Sequence, residues 1–363
     1  MASLLNRLGN QSHLAATGTH KTTKYPVIPS LSGLAKASKE PEVTTDKDNA
    51  AKATHNKRIR VAQETVRTAG KENGLINLRR RPDDVKDIYA DDISNEALVV
   101  AYVEHIYAYL RKREAVRVSA SYMEGMSINT RMRSILMDWI VSVAYKFKMC
   151  QDSLFLAVDI IDRFLAIPEL DATKDELQLI GVTSMFIASK FEEVYPPELD
   201  DFVFISDSAC SRSQILETEM MITNALDFDF SRPHTSHFLR RVSKAASADT
   251  SEYSTAKYFA ELTLLSIDFV AIAPSLTAAA SLYLTLLMRR GISQAHWNAE
   301  LRFYSGYEES EVKPVAGKLL ELVRSTPRSK QQCIYKKYCS TKLQEVAVEA
   351  ATTAEEIAHY FRH

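Results

Sequence analysis

Apolar residues follow no regular period up to about residue 85, and a helical period almost everywhere after it. Residues 1–85 are rich in Ser, Thr, Ala, Lys, Asn and Gly, and Pro26, Pro29 and Pro41 interrupt them. Such a segment cannot bury enough apolar surface to offset its ordering entropy, so a disordered tail is predicted. Beyond Pro82, the residues Val99, Val103, Ile106 and Leu110 recur at three- and four-residue steps. That spacing predicts an amphipathic helix over about 95–113. Further helices are predicted over about 130–147 and 153–166. The stretch 175–192 is apolar around most of its circumference, which predicts a helix enclosed by others. Pro196 and Pro197 end it and open a short helix to about Ile205. Ser211 and Gln214 have the spacing of a capping box, opening a helix that ends near Leu226.

The pattern then restarts. Ser231-Arg232-Pro233 is a good helix start. Helices are predicted over about 234–246, 254–271, 275–288, 293–304 and 309–325. The span 275–288 is again apolar all round, about a hundred residues after the first such helix. Two enclosed helices, each wrapped by amphipathic ones, predict an all-α protein of two stacked units. Strand alternation, GxGxxG and P-loop patterns are missing from the sequence. Phe269 to Met288 is long enough to raise a membrane span, but Pro274 leaves a helix of about fourteen residues, a globular length. A buried core helix is the reading adopted, with no membrane partner.

Composition narrows the classes. The formal charge of −1 gives no electrostatic case for direct nucleic-acid binding. Cys150, Cys210, Cys333 and Cys339 are scattered, without a CxxC pair or a zinc-like Cys–His spacing. Reduced cysteines are expected, with no metal and no cofactor. The N-terminus reads as neither a signal peptide nor, with Ala2, a myristoylation site.

A few charges stand on apolar stripes. Arg133 lies on the face of Met137 and Ile140, and Asp162 on that of Phe155, Val158 and Leu165. An unpaired buried charge costs several kcal/mol, so the two are expected to pair. Lys190 ends the first enclosed helix, where it either satisfies the last carbonyls or meets a partner. Glu219 sits on the stripe of Ile215, Ile222 and Leu226. No nucleophile–base pair or metal cluster accompanies these residues, which argues against an enzyme. Met132, Leu136 and Trp139 share one helix face, an arrangement more often core than groove.

These same residues carry a resemblance. The run 132–143, the pair Leu177-Gln178 with Leu179, and Ser189-Lys190-Phe191-Glu192-Glu193-Val194-Tyr195-Pro196-Pro197-Glu198 resemble the cyclin box. Residues 102–111 look like the helix before it. His237-Phe238-Leu239-Arg240-Arg241 and the stretch 256–263 are similar to B-type mitotic cyclins. The resemblance covers about residues 90–340. It implies tandem five-helix cyclin folds. The expected domains are a tail (1–85), an N-terminal helix with the first box (86–230), a second box (231–345) and a C-terminal extension (346–363).

The resemblance also implies roles. The chain would be a non-catalytic subunit that binds and activates a mitotic cyclin-dependent kinase as a heterodimer. Lys190 and Glu219 match the kinase-contacting pair, with Phe191, Ile106, Tyr109 and Phe228 as apolar neighbours. Arg133, Asp162 and Leu179 match structural positions. Met132, Leu136, Trp139, Leu177, Gln178 and Asp207 match a docking patch for arginine-x-leucine motifs of substrates and inhibitors. Ser142 departs from the Glu that many cyclins carry there, which implies weaker or altered docking. His237 and Arg241 match either an anion contact or a solvated basic face. Lys71-Glu72-Asn73 is a KEN sequence, implying destruction through the ubiquitin ligase of mitotic exit; Arg-x-x-Leu is absent from residues 1–90. The basic clusters at 57–60 and 79–81 are candidates for nuclear import, and nucleus and cytoplasm are expected. An A-type S-phase cyclin and a cyclin-fold transcription factor are the alternatives.

Overall fold

The computed structural model describes residues 80–361, apart from Ser94, Glu169, Asp171 and Ser208. The KEN sequence at 71–73 and the basic cluster at 57–60 lie outside the described residues. Helix α1 (Val103–Arg113) precedes a set of five: α2 (Thr130–Lys146), α3 (Gln151–Leu165), α4 (Leu177–Glu192), α5 (Leu199–Ile205) and α6 (Arg212–Ala225). A second set follows: α7 (Thr235–Ala245), α8 (Thr250–Leu262), α9 (Pro274–Arg290), α10 (Ala299–Ser305) and α11 (Glu309–Ser325). Two more helices, α12 (Cys333–Tyr338) and α13 (Val346–Ile357), complete the order. No strand occurs among the described residues.

Each set is organised around its all-apolar helix. Helix α4 is buried from Ile180 to Ser189 and packs against α2, α3 and α6. Gly181 lets α2 approach closely, because a Cβ there would lie 2.8 Å from Leu136 Cδ1. Helix α9 is buried from Thr277 to Leu287 and is enclosed by α7, α8 and α11. It is the core helix predicted for the apolar span after Pro274, and no described helix is long and apolar enough to cross a membrane. The starts are local. Asn129 accepts from the Met132 N–H at 3.0 Å, and Ser211 and Gln214 form the predicted capping box.

Several boundaries differ from the periodicity. The first helix begins at Val103, because Val99 takes a left-handed φ of 45° between two short 3-10 turns. Its packed side is also rotated: Val99 and Ile106 are exposed, while Val103, Tyr107 and Leu110 face the core. Helix α8 stops at Leu262, and 3-10 turns at Thr263–Leu265 and Ile267–Phe269 replace its predicted end. Helix α10 starts only after Asn298, which caps it through the Leu301 N–H. Helices α12 and α13 have no counterpart in the sequence reading. The segment after 345 packs on α8, α9 and α11 through Ala347, Ala350 and Ala354. Alanines carry too weak a hydrophobic contrast to mark a stripe.

The two charges on apolar stripes meet. Arg133 Nε and one terminal nitrogen donate to the two Asp162 oxygens, each at 2.7 Å, with both side chains buried. Tyr122 donates to Asp162 at 2.8 Å, and the other Arg133 nitrogen donates to the Leu264 carbonyl at 3.0 Å. Burial opposes the charge on Arg133, but Asp162 outweighs it and raises the guanidinium above its ordinary value. Leu264 follows α8, so this one side chain joins both helical sets. Gln151 at the start of α3 reinforces the junction by donating to Glu261 of α8 at 3.1 Å.

The connection between the sets passes through His234, which is buried and stacked 6.3 Å from Phe155. Burial pushes its imidazole down from 6.5 to about 4, against the opposing pull of Asp159. Helix α1 lies against the second set. Tyr107 donates to the His237 carbonyl at 3.0 Å. Arg111 donates to Glu114 and Tyr307, and Glu114 accepts from the Ser275 N–H at 3.0 Å, in the first turn of α9.

Removing one member of the central pair leaves a buried charge. Arg133→Ala is expected to cost about 3–5 kcal/mol in urea unfolding, whereas Arg133→Met with Asp162→Leu recovers most of the loss. For His234 the unfolded chain takes up a proton near pH 6.5 that the folded chain refuses until about pH 4. Stability is therefore full above pH 6.5 and falls as pH drops through that window, by about 3 kcal/mol. Urea unfolding of His234→Gln is expected to lose most of this slope.

Candidate functional site

The end of α4 and the middle of α6 meet through Lys190 and Glu219, which form an ion pair. The Lys190 ammonium also lies 4.1 Å from the centre of the Phe186 ring. Lys190 is 42% exposed and Glu219 18%, so the pair sits at the surface and is open on the lysine side. Glu219 tolerates its stripe because its carboxylate reaches this partner.

Apolar side chains surround the pair. Phe191 follows Lys190 and is exposed on one side, while its ring packs edge-on against Phe230 at 6.0 Å. Leu216 and Met220, one turn apart on α6, flank Glu219 and are exposed. Phe228 projects from a left-handed pair, Asp227 and Phe228, with φ of 52° and 54°. It is 66% exposed. The next residue, Asp229, holds Arg113 at the end of α1. Tyr102, at the N-cap of α1, and Ile106 and Tyr109 within it form an exposed stripe at steps of four and three. A chain of contacts thus links the α1 stripe through Arg113–Asp229 and Phe230–Phe191 to Lys190–Glu219. Leu216 and Met220 were not singled out in the sequence, and Tyr102, Val194 and Tyr195, also exposed, entered it only as members of longer motifs and not as contact residues. An exposed apolar residue differs from a core one only in what the fold leaves uncovered.

The second group of expected residues divides. Met132, Trp139 and Gln178 are half-buried, and Asp207 is exposed at a left-handed φ of 56°. Leu136 and Leu177 are 5% exposed and belong to the core, which corrects their assignment to a surface patch. The close approach of α2 to Gly181 draws Leu136 inward. Leu179 packs partly buried against the same core. Ser142 is hydrogen-bonded to Cys333, whose thiol is pushed up to about 12 by burial and by Asp138. Asp138 in turn accepts from the Cys333 N–H at 2.8 Å and seats α12 on α2.

Residues 105–231 match the family model for the cyclin N-terminal domain, and 233–352 that for the cyclin C-terminal domain. The G2/mitotic-specific cyclin-B of Marthasterias glacialis is 41% identical over 274 residues, covering 75% of this chain and 70% of that protein. The proteins of the same name from Hydra viridissima and Patella vulgata are 41% and 42% identical over 73% and 72% of this chain. The chain covers 66% and 64% of those two relatives. This chain belongs to the B-type, G2/mitotic-specific cyclins. The A-type alternative is thereby set aside. A viral cyclin from herpesvirus saimiri shares the fold, with a TM-score of 0.52 and 21% identity over 60% of this chain and 97% of its own.

In this cyclin the expected anion contact of His237 and Arg241 is not open. Arg241 is buried, bonds Glu104 at 2.5 Å, and lies 4.3 Å and 5.1 Å from the rings of Tyr107 and Tyr304. Its charge is used to fasten α1 onto α7. His237 accepts from the His234 backbone N–H at 3.0 Å as part of the cap of α7. Of the basic cluster at 79–81, Arg81 is tied to the Val85 carbonyl at 2.6 Å. Among the described residues no group of His, Cys, Asp and Glu has the arrangement of a metal site, and all four cysteines are free thiols.

An exposed pair of this kind adds little to folding. Lys190→Ala with Glu219→Ala is expected to change unfolding free energy by less than about 1 kcal/mol, measured by urea titration.

Proposed function

We propose that this cyclin is the regulatory, non-catalytic subunit of a mitotic cyclin-dependent kinase and acts as its activator. The observation that carries the reading is the exposed apolar strip around Lys190–Glu219, framed by Phe191, Phe228, Ile106 and Tyr109. An apolar surface rimmed by one open ion pair suits a helix of opposite pattern: apolar contacts supply affinity and the charges set register. Activation then follows as a population shift. The strip binds the active arrangement of a mobile kinase helix better than the inactive one, and binding moves the equilibrium. The kinase's own Lys–Glu pair and activation loop assemble as a consequence.

Further roles belong to the same reading. Met132, Trp139, Gln178 and Asp207 form the part of the docking patch for substrates and inhibitors that remains accessible. Ser142 in place of Glu weakens its grip on an arginine. Lys71-Glu72-Asn73 serves as the destruction signal for the ubiquitin ligase of mitotic exit, and the protein works in nucleus and cytoplasm.

Reconstitution tests the central claim. The full chain mixed with a monomeric cyclin-dependent kinase is expected to stimulate histone phosphorylation. Lys190→Ala with Glu219→Ala is expected to lower that stimulation at least about tenfold, through loss of affinity rather than of folding. Full stimulation by the double variant would refute the assigned surface.

A further inference from the structure

A cleft of about 480 Å³ lies between the two boxes. Its walls come from the end of α1, the second half of α3, the connection before α7 and the turns before α9. Five arginines line it: Arg133, which is committed to Asp162, and Arg113, Arg117, Arg163 and Arg232. The Arg133–Asp162 and Arg111–Glu114 pairs are already complete, so the carboxylates left to oppose the other four are Asp159 and Asp229. Three guanidiniums converge on Asp229. Arg113 pairs with it directly, Arg232 is 3.9 Å away and Arg163 is 4.0 Å away. Arg163 also bonds Asp159 at 3.1 Å. Arg117 donates to the Glu114 carbonyl at 3.1 Å and forms no ion pair among the described residues. The lining itself carries one positive charge in excess, and Arg111, which neutralises Glu114 from outside the cleft, brings the local excess to two.

Unused donors accompany that excess. Arg113 Nε is buried without an acceptor. So is Nε2 of His234, a residue that is 5% exposed and lines the cleft. The His234 ring accepts from the backbone N–H of His237 within the α7 cap, so its free nitrogen, Nε2, carries the hydrogen of the neutral ring. A buried donor without an acceptor is costly, and two facing a surplus of guanidinium charge call for an anion. Burial pushes the Arg232 guanidinium down; Asp159 and Asp229 oppose this, and Arg163 and Arg113 add to it.

We propose that the inter-box cleft binds a phosphate-type dianion, held by Arg113, Arg117, Arg163 and Arg232 with His234 Nε2 as a neutral donor. A tetrahedral dianion matches the excess of two charges and accepts from several guanidinium forks at once. The cleft is larger than one phosphate, so the ion fits free or as a monoester on a peptide. The site is separate from His237 and Arg241, and it adds to the kinase-activating role. Because its walls come from α1 and both boxes, the anion ties them together and stabilises their arrangement.

Calorimetric titration of the full chain at constant ionic strength tests this, with sodium phosphate, a phosphoserine peptide and its unphosphorylated form as ligands. Phosphate is expected to bind with a dissociation constant of about 1 mM or lower and to raise the melting temperature. Arg117→Gln changes an exposed residue and should fold, yet it is expected to weaken binding at least about fivefold. Arg212→Gln, an exposed arginine outside the cleft, is expected to bind as the parent does. A phosphopeptide at least about tenfold tighter than phosphate identifies a phosphorylated chain as the source, and equal affinity identifies the free ion. No phosphate-specific heat at about 20 mM, an equal response to chloride, or undiminished binding by Arg117→Gln would overturn the proposal.

Discussion

One guanidinium holds the two halves of this protein in register. Arg133 leaves α2, closes a two-pronged pair with Asp162 of α3, and directs its third nitrogen at the Leu264 carbonyl beyond α8. A charge in so apolar a setting tolerates few alternative geometries, because every displaced donor would be left unpaired. The pair therefore contributes specificity more than net stability. It fits the one stacking of the two helical units that brings the Leu264 carbonyl to Arg133.

Helix α1 depends on that stacking. Its sides are divided between two tasks: Tyr107 and Arg111 fasten it to the second box, while Tyr102, Ile106 and Tyr109 remain uncovered. Glu104 and Arg241 complete the attachment among the rings of Tyr89, Tyr107 and Tyr304. The exposed strip is thus composite. Lys190, Glu219 and Phe191 come from the first box, and the α1 stripe is presented by a helix anchored on the second.

Much of this was legible in the sequence. Both enclosed helices, the Ser211 cap and the meeting of Arg133 with Asp162 followed from period, capping chemistry and the cost of buried charge. Three things were not. The left-handed turn at Val99 shortened α1, and nothing in a valine signals it. Helix α13 is buried through alanines, which leave almost no periodic trace. The fates of Leu136 and Ile106, one sunk and one exposed, depend on which neighbours arrive: Gly181 admits the first, and Tyr107 rather than Ile106 turns to the second box. Arg241 misled for the same reason, since a basic residue on a helix looks solvated until three tyrosines close over it.

The attachment of α1 has a mechanical side. Eleven residues make a rod of roughly 16 Å, fastened along its side to the second box and at its end, through Arg113–Asp229, to the first. A rotation of the second box by about 5° would swing the far end of such a rod by about 1.4 Å. That is enough to misalign Ile106 and Tyr109 with Lys190 and Glu219 on the other body. The second box is therefore the main bearing of this short arm, and Arg113–Asp229 is the stay that keeps its end aligned with the first.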